Sequence, residues 1–162
     1  MSNKSKFSGA LLTRQASLSV KDGELELAFA SGQPVDRWGF METLDMKGIK
    51  LDRINDGGSL LVNHNRQDYV GVVQEAVLGD DLIARATCRF GSSERAKQIK
   101  QDVEDGILTK VSFGYRVLDF SEDKKGDVTI TSFDVTEISL VTIPADHTVG
   151  VGRELDATPK EE

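Results

Sequence analysis

One cysteine in 162 residues, Cys88, excludes an internal disulfide and any cluster of thiolates around a metal. Two histidines, His64 and His147, are too few for a zinc-ligand spacing, and neither a calcium loop nor a glycine-rich phosphate cradle is present. No metal and no cofactor are therefore expected. No apolar run approaches the roughly 18 residues of a membrane-spanning helix. The opening segment MSNKSKFSGA carries charge without the apolar stretch of a secretory signal, so neither a membrane role nor secretion is expected. Aromatic residues are scarce, at 6%, and the formal net charge is −7. Both disfavour nucleic-acid binding, because phosphate affinity needs a basic surface and an OB-type barrel interleaves basic with aromatic side chains.

What is present fits one globular domain. A hydrophobic content of 38% supports a single core, assigned to residues 9–152, with the charged segments 1–8 and 153–162 as flexible ends. GELELAFASG alternates Leu25, Leu27 and Phe29 against Glu24 and Glu26, the pattern of a half-buried strand. In LIARATCRF, Cys88 shares a face with Leu82, Ala84, Ala86 and Phe90 and reads as a buried strand residue, without the exposed electropositive setting of a catalytic thiol. GDD at 79–81 predicts a hairpin between flanking strands. GSSERAKQIKQDVEDGI predicts a helix: the serines offer an N-cap, Ala96, Ile99 and Val103 form one stripe, and Gly106 ends it. A second short helix is expected near LDMKGIKLDRI. A polar loop is expected at NHNRQD, and two further strands at DVTITSF and VTEISLVTI. The fold class is α+β and mainly β, read as a closed or partly closed β-barrel flanked by helices.

The stretch LTKVSFGYRV carries the chemical question. Val111, Phe113, Tyr115 and Val117 form one strand face, and Ser112, Gly114 and Arg116 the other. A serine nucleophile needs a base that accepts its proton near neutral pH and a third group that fixes the base's tautomer. Histidine suits the base, and His64 follows the apolar SLLV at a strand end, where a side chain can be held and still reach a cleft. Glu137 in VTEISLV can equally be a solvated strand carboxylate. Each of the three has an ordinary structural explanation when taken singly.

Three segments in order, SLLVNHNRQDYVGVV, GILTKVSFGYRV and TEISLVTIPADHT, closely resemble the prohead maturation proteases of tailed phages with the HK97-type capsid. The resemblance extends from about SGQPVDRWG to PADHT. It implies a serine endopeptidase that cuts scaffold or capsid-protein segments, and its own chain, within the immature prohead in the host cytoplasm. It also implies kinship with the herpesvirus assembly proteases, whose fold is a β-barrel surrounded by helices. Carried onto this sequence, Ser112 matches the nucleophile, His64 the base and Glu137 an acidic third member. His147 is the alternative third member, since the herpesvirus relatives use a second histidine. Gly114, through backbone N–H groups, and Arg116 are candidate donors to the oxyanion. A different class remains open: a catalytically silent barrel that binds scaffold or capsid protein during virion assembly without cutting it.

Overall fold

The computed structural model describes residues 19–21, 23–37 and 39–142. A single strand of 14 residues, β10 (Val128–Val141), organises them. Along one edge it pairs antiparallel with β9 (Lys110–Glu122); along the other it pairs parallel, in turn, with β4 (Met41–Leu44), β5 (Ile49–Lys50) and β6 (Ser59–Val62). The sequence pattern suggests two strands here, and the structure joins them into one. The reason is local. Core-facing side chains fall at Ile130, Phe133, Val135, Ile138 and Leu140, so the period-2 alternation is broken twice, where the register against β9 shifts. Bulges of this kind insert a residue and change the phase of the side chains that follow.

From β6 the ladder continues through β7 (Asn65–Leu78), β8 (Ala84–Phe90), β2 (Glu24–Ala30) and β1 (Ser19–Lys21), while β3 (Val35–Asp36) borders β4. The hydrogen-bonded path is open, so of the expected closed or partly closed barrel the closed form is not found. Among the described residues no ladder joins β9 to β2. Side chains fill that seam instead: Phe29 of β2 meets Phe113 of β9 edge-on at 5.6 Å, and the aromatic row continues to Tyr115 and Phe133. Rings of this size bury a large apolar area. Tyr115 also donates its hydroxyl hydrogen to the buried Glu42 carboxylate of β4, with O···O distances of 3.0 and 3.1 Å, tying the sheet's far edge to its centre.

Among the described residues one α-helix is present, α1 (Glu94–Glu104). It has the predicted ends. The Ser93 side chain accepts from Ala96 N, and Gly106 follows at φ 75°, a left-handed value that suits glycine. Ala96, Ile99 and Val103 are buried against the sheet. Arg95 grips Asp68 of β7 through two contacts of 3.0 and 2.7 Å, and its guanidinium holds the Asp68 carboxyl below the usual carboxylate range. The second expected helix is only a 3-10 turn, Met46–Gly48, because Asp45 caps a segment that passes at once into β5.

On β8, Ala84, Ala86, Cys88 and Phe90 are buried as read, and burial pushes the Cys88 thiol up to about 12. Leu82 does not join that face. It lies in the hairpin turn at φ 64°, largely exposed. The proposed ends at 1–8 and 153–162 lie outside the described residues.

Gly48 is where the 3-10 turn approaches the first bulge of β10 most closely. A methyl group there would stand 1.8 Å from the Thr131 carbonyl oxygen, whereas one at Gly91 would meet nothing nearer than 3.6 Å. Gly48→Ala is therefore expected to lower unfolding free energy by about 1–3 kcal/mol, as overpacking does. Gly91→Ala is expected to stay within about 0.5 kcal/mol of the parent. Urea denaturation midpoints of the two variants check this.

Candidate active site

The site is assembled around the turn between β6 and β7. The polar run NHNRQD, expected as a loop, is mostly strand: only Asn63 and His64 form the turn, and Val62 pairs with Asn65 across it. Both turn residues have positive φ, 53° and 59°. Two successive left-handed residues make the hairpin turn that matches strand twist, for which Asn is well suited and His less so. The conformation costs roughly 1–2 kcal/mol for most side chains, His among them, and less for Asn; contacts with β10 offset it. Asn63 N donates to Leu140 O at 2.8 Å, and Asn63 Oδ1 accepts from Thr142 N at 3.0 Å and Thr142 Oγ1 at 3.3 Å.

His64 is held at two points by one strand. Its backbone N donates to Ser139 Oγ at 3.0 Å, and its ring Nδ1 lies 2.5 Å from Glu137 Oε2. Ser139 Oγ in turn donates to Glu137 Oε1 at 2.7 Å, closing a ring of hydrogen bonds. The last register shift of β10 makes this possible. Val135 and Ile138 both face the core, so the shift between Val135 and Glu137 turns Glu137 to the opposite face, alongside Ser139. With regular period-2 alternation instead of that shift, Glu137 would share the phase of Val135 and point into apolar packing.

The electrostatics of the pair follow from the donors available. A carboxylate only accepts hydrogen bonds, so the proton shared with Glu137 belongs to Nδ1, and Nε2 of the neutral ring is a bare lone pair. Nε2 is buried and has no hydrogen-bond partner among the described residues. Side-chain exposure is 6% for His64 and 16% for Glu137, enough burial for the contact to outweigh a solvated ion pair.

Ser112 lies on the same sheet face. It sits directly opposite Ser139 in the β9–β10 ladder, and Gly114 sits opposite Glu137. Directly opposed residues carry their Cβ atoms roughly 5 Å apart, so Ser112 is one cross-strand step from the residue that binds the backbone of His64. No hydrogen bond links Ser112 to His64 among the described residues, and Ser112 is only 5% exposed. Arg116 lies farther off. It stands opposite Asp134, with Nη2 3.6 Å from that carboxylate, and four residues of strand put its Cα roughly 13 Å from that of Ser112. His147 lies outside the described residues. Two contributors escape the sequence reading: Ser139, signalled by its two-residue spacing from Glu137 on a strand, and Asn63, signalled by an Asn between two apolar strand runs.

Comparison with known proteins agrees with the phage resemblance. Residues 39–161 match the family described as caudovirus prohead serine protease. A relative named major capsid protein, from Halomonas phage phiHAP-1, is 40% identical over 141 residues, covering 82% of this chain and 23% of the relative. The chain thus spans under a quarter of that protein's length. No solved structure matches.

Asn63 combines a left-handed backbone with two side-chain bonds, so its replacements separate the two contributions. Asn63→Ala is expected to cost about 2–3 kcal/mol, the sum of left-handed strain and lost hydrogen bonds. Asn63→Gly is expected to cost about 1 kcal/mol, since glycine removes the strain and leaves only the lost bonds. Urea unfolding measures both.

Proposed function

The chain belongs to the caudovirus prohead serine proteases, and from that premise we propose that it is a serine endopeptidase with Ser112 as nucleophile, His64 as general base and Glu137 as the carboxylate that orients it. The observation that carries this reading is the surroundings of the imidazole. Glu137 engages Nδ1, and the buried Nε2 is left with an unused lone pair on the sheet face that bears Ser112. As Ser112 Oγ attacks a peptide carbonyl, its proton passes to Nε2, and the imidazolium so formed is stabilised by the adjacent carboxylate. The same proton then goes to the departing amine, leaving an acyl-enzyme that water hydrolyses by the reverse sequence. The developing oxyanion is met by backbone N–H groups near Ser112 and Gly114. Arg116 is the second candidate donor, and to serve it would have to leave Asp134.

The substrates in this reading are scaffold or capsid-protein segments and the chain's own flanking sequence, cut within the immature prohead. The catalytic unit is the domain at 9–152, and the curled sheet is a variant of the barrel of the herpesvirus assembly proteases. The relative named major capsid protein favours a second reading, an assembly protein of the same fold that binds capsid components without cutting them.

One experiment separates the two. The chain is incubated with co-expressed capsid and scaffold proteins, and products are followed by mass spectrometry. Cleavage is expected for the parent chain and a loss of about a millionfold in kcat for Ser112→Ala, with unchanged circular dichroism. Glu137→Gln, which keeps the shape but not the charge, is expected to lose about ten-thousandfold. Equal cleavage by Ser112→Ala and the parent would refute the nucleophile assignment, and no cleavage by either would favour the assembly protein.

A further inference from the structure

Glu137 stands between two sets of donors. On one side are His64 Nδ1 and Ser139 Oγ, at 2.5 and 2.7 Å. On the other, Glu137 lines a groove of about 800 Å³ whose walls also carry Arg53, Arg66 and Arg116. Arg53 and Arg116 share the carboxylate of Asp134, at 2.8 and 3.6 Å, and Arg66 makes no ion pair among the described residues. A guanidinium offers a carboxylate two parallel charge-assisted bonds, a stronger partner than a neutral imidazole. A glutamate with three side-chain torsions beside three arginines has an evident alternative to His64.

We propose that Ser139 is a positioning residue that keeps the Glu137 carboxylate on His64 and out of that groove. The inference rests on the endopeptidase reading for its consequence in catalysis, and its geometry stands separately. Ser139 is fully buried, and its hydroxyl is used in both directions: it accepts from His64 N and donates to Glu137 Oε1. Its hydrogen therefore points at the carboxylate, because the backbone N–H of His64 occupies its acceptor side. One oxygen of Glu137 is fixed by Ser139, which leaves the other for Nδ1 and sets the carboxylate plane. Ser139 also fixes the left-handed backbone of His64, so a single hydroxyl sets both ends of the histidine–glutamate contact. Its place in the ladder, between Leu61 of β6 and Ser112 of β9, is rigid on both edges.

Two readouts on Ser139→Ala test this. The first does not need activity: ¹⁵N NMR of the His64 ring, at a pH where it is neutral, reports which nitrogen carries the proton. The parent is expected to show the Nδ1–H form, and Ser139→Ala a mixture of both tautomers. The second is kinetic: kcat is expected to fall on the order of 100-fold, as for a misplaced catalytic group, with KM little changed. The deficit is expected to shrink in 1 M salt, where the screening length falls to about 3 Å and arginine competes less well. Adding Arg66→Ala to Ser139→Ala is expected to restore part of the Nδ1–H population. Should Ser139→Ala fail to fold, Ser139→Cys, with a similar shape and a weak donor, is expected to give intermediate values for both readouts. A tautomer ratio unchanged from the parent, or a deficit indifferent to salt, overturns the proposal. A parent chain that cuts nothing while the tautomer shifts as expected would defeat the endopeptidase reading and leave the positioning role of Ser139 supported.

Discussion

The contact between Glu137 and the His64 ring is the interaction on which the site depends, and it exists because one strand runs through the middle of the sheet. β10 has β6 on one edge and β9 on the other. Residues far apart in the chain, at 64, 112 and 137, therefore converge without any of them lying on a long loop. A side chain carried by a strand that is hydrogen-bonded on both edges has little backbone freedom to lose. That holds for Glu137 on β10; Ser112 lies on β9, which is bonded along one edge only among the described residues, and the histidine sits on a turn that β10 binds through Leu140 and Ser139. The turn is strained in isolation and over-determined in place, the usual condition for a left-handed residue that persists at a functional position.

The two faces of β10 obey different physics. Ile130, Phe133, Val135, Ile138 and Leu140 are buried in an apolar core, where area removed from water supplies the stabilisation. The opposite face buries Ser139 among polar partners, where stability depends on every donor and acceptor being used. His64 Nε2 is the one atom of this network left without a partner among the described residues. A buried polar atom without a partner is costly, and such atoms are retained where chemistry needs them free. The bulge before Glu137 is the hinge between the two regimes. It moves one carboxylate from the apolar phase to the polar one.

The parts of this structure legible in the sequence are those written in short, local patterns. Ser93 and Gly106 mark the ends of α1 because capping is a matter of a few neighbouring residues. The core face of β9, at Val111, Phe113 and Tyr115, is visible because the alternation there is unbroken. β10 is not legible as one strand, because the alternation that would reveal it is broken twice, after Ile130 and after Val135. The NHNRQD segment was misread for a related reason. Four of its residues form the start of β7 but face solvent on most sides, so polarity mimics a loop. Leu82 was drawn into the β8 face because period-2 counting has no knowledge of where a hairpin turn begins. The convergence of His64, Glu137 and Ser112 depends on strand order, which periodicity does not encode. It was carried by the resemblance, and Ser139 was missed because a serine between two core residues looks like an ordinary strand position.

The arrangement also bears on how such a site would operate. The Glu137–His64 contact is short and set in place, while Ser112 lies one strand away without a bond to the ring. That asymmetry is chemically reasonable. The orienting pair must hold one tautomer at all times, and a low local dielectric strengthens it. The bond between nucleophile and base need form only as the carbonyl approaches, and such bonds are commonly long before substrate binds and tighten in the Michaelis complex. Ser112 at 5% exposure adds a constraint to the endopeptidase reading, in which a peptide would have to reach a hydroxyl that the folded chain almost covers. The groove that Glu137 lines also carries Arg116, two residues along β9 from Gly114, so it opens beside the strands that hold Ser112 and Glu137. In the endopeptidase reading, burial would hold the imidazole in place before a substrate arrives.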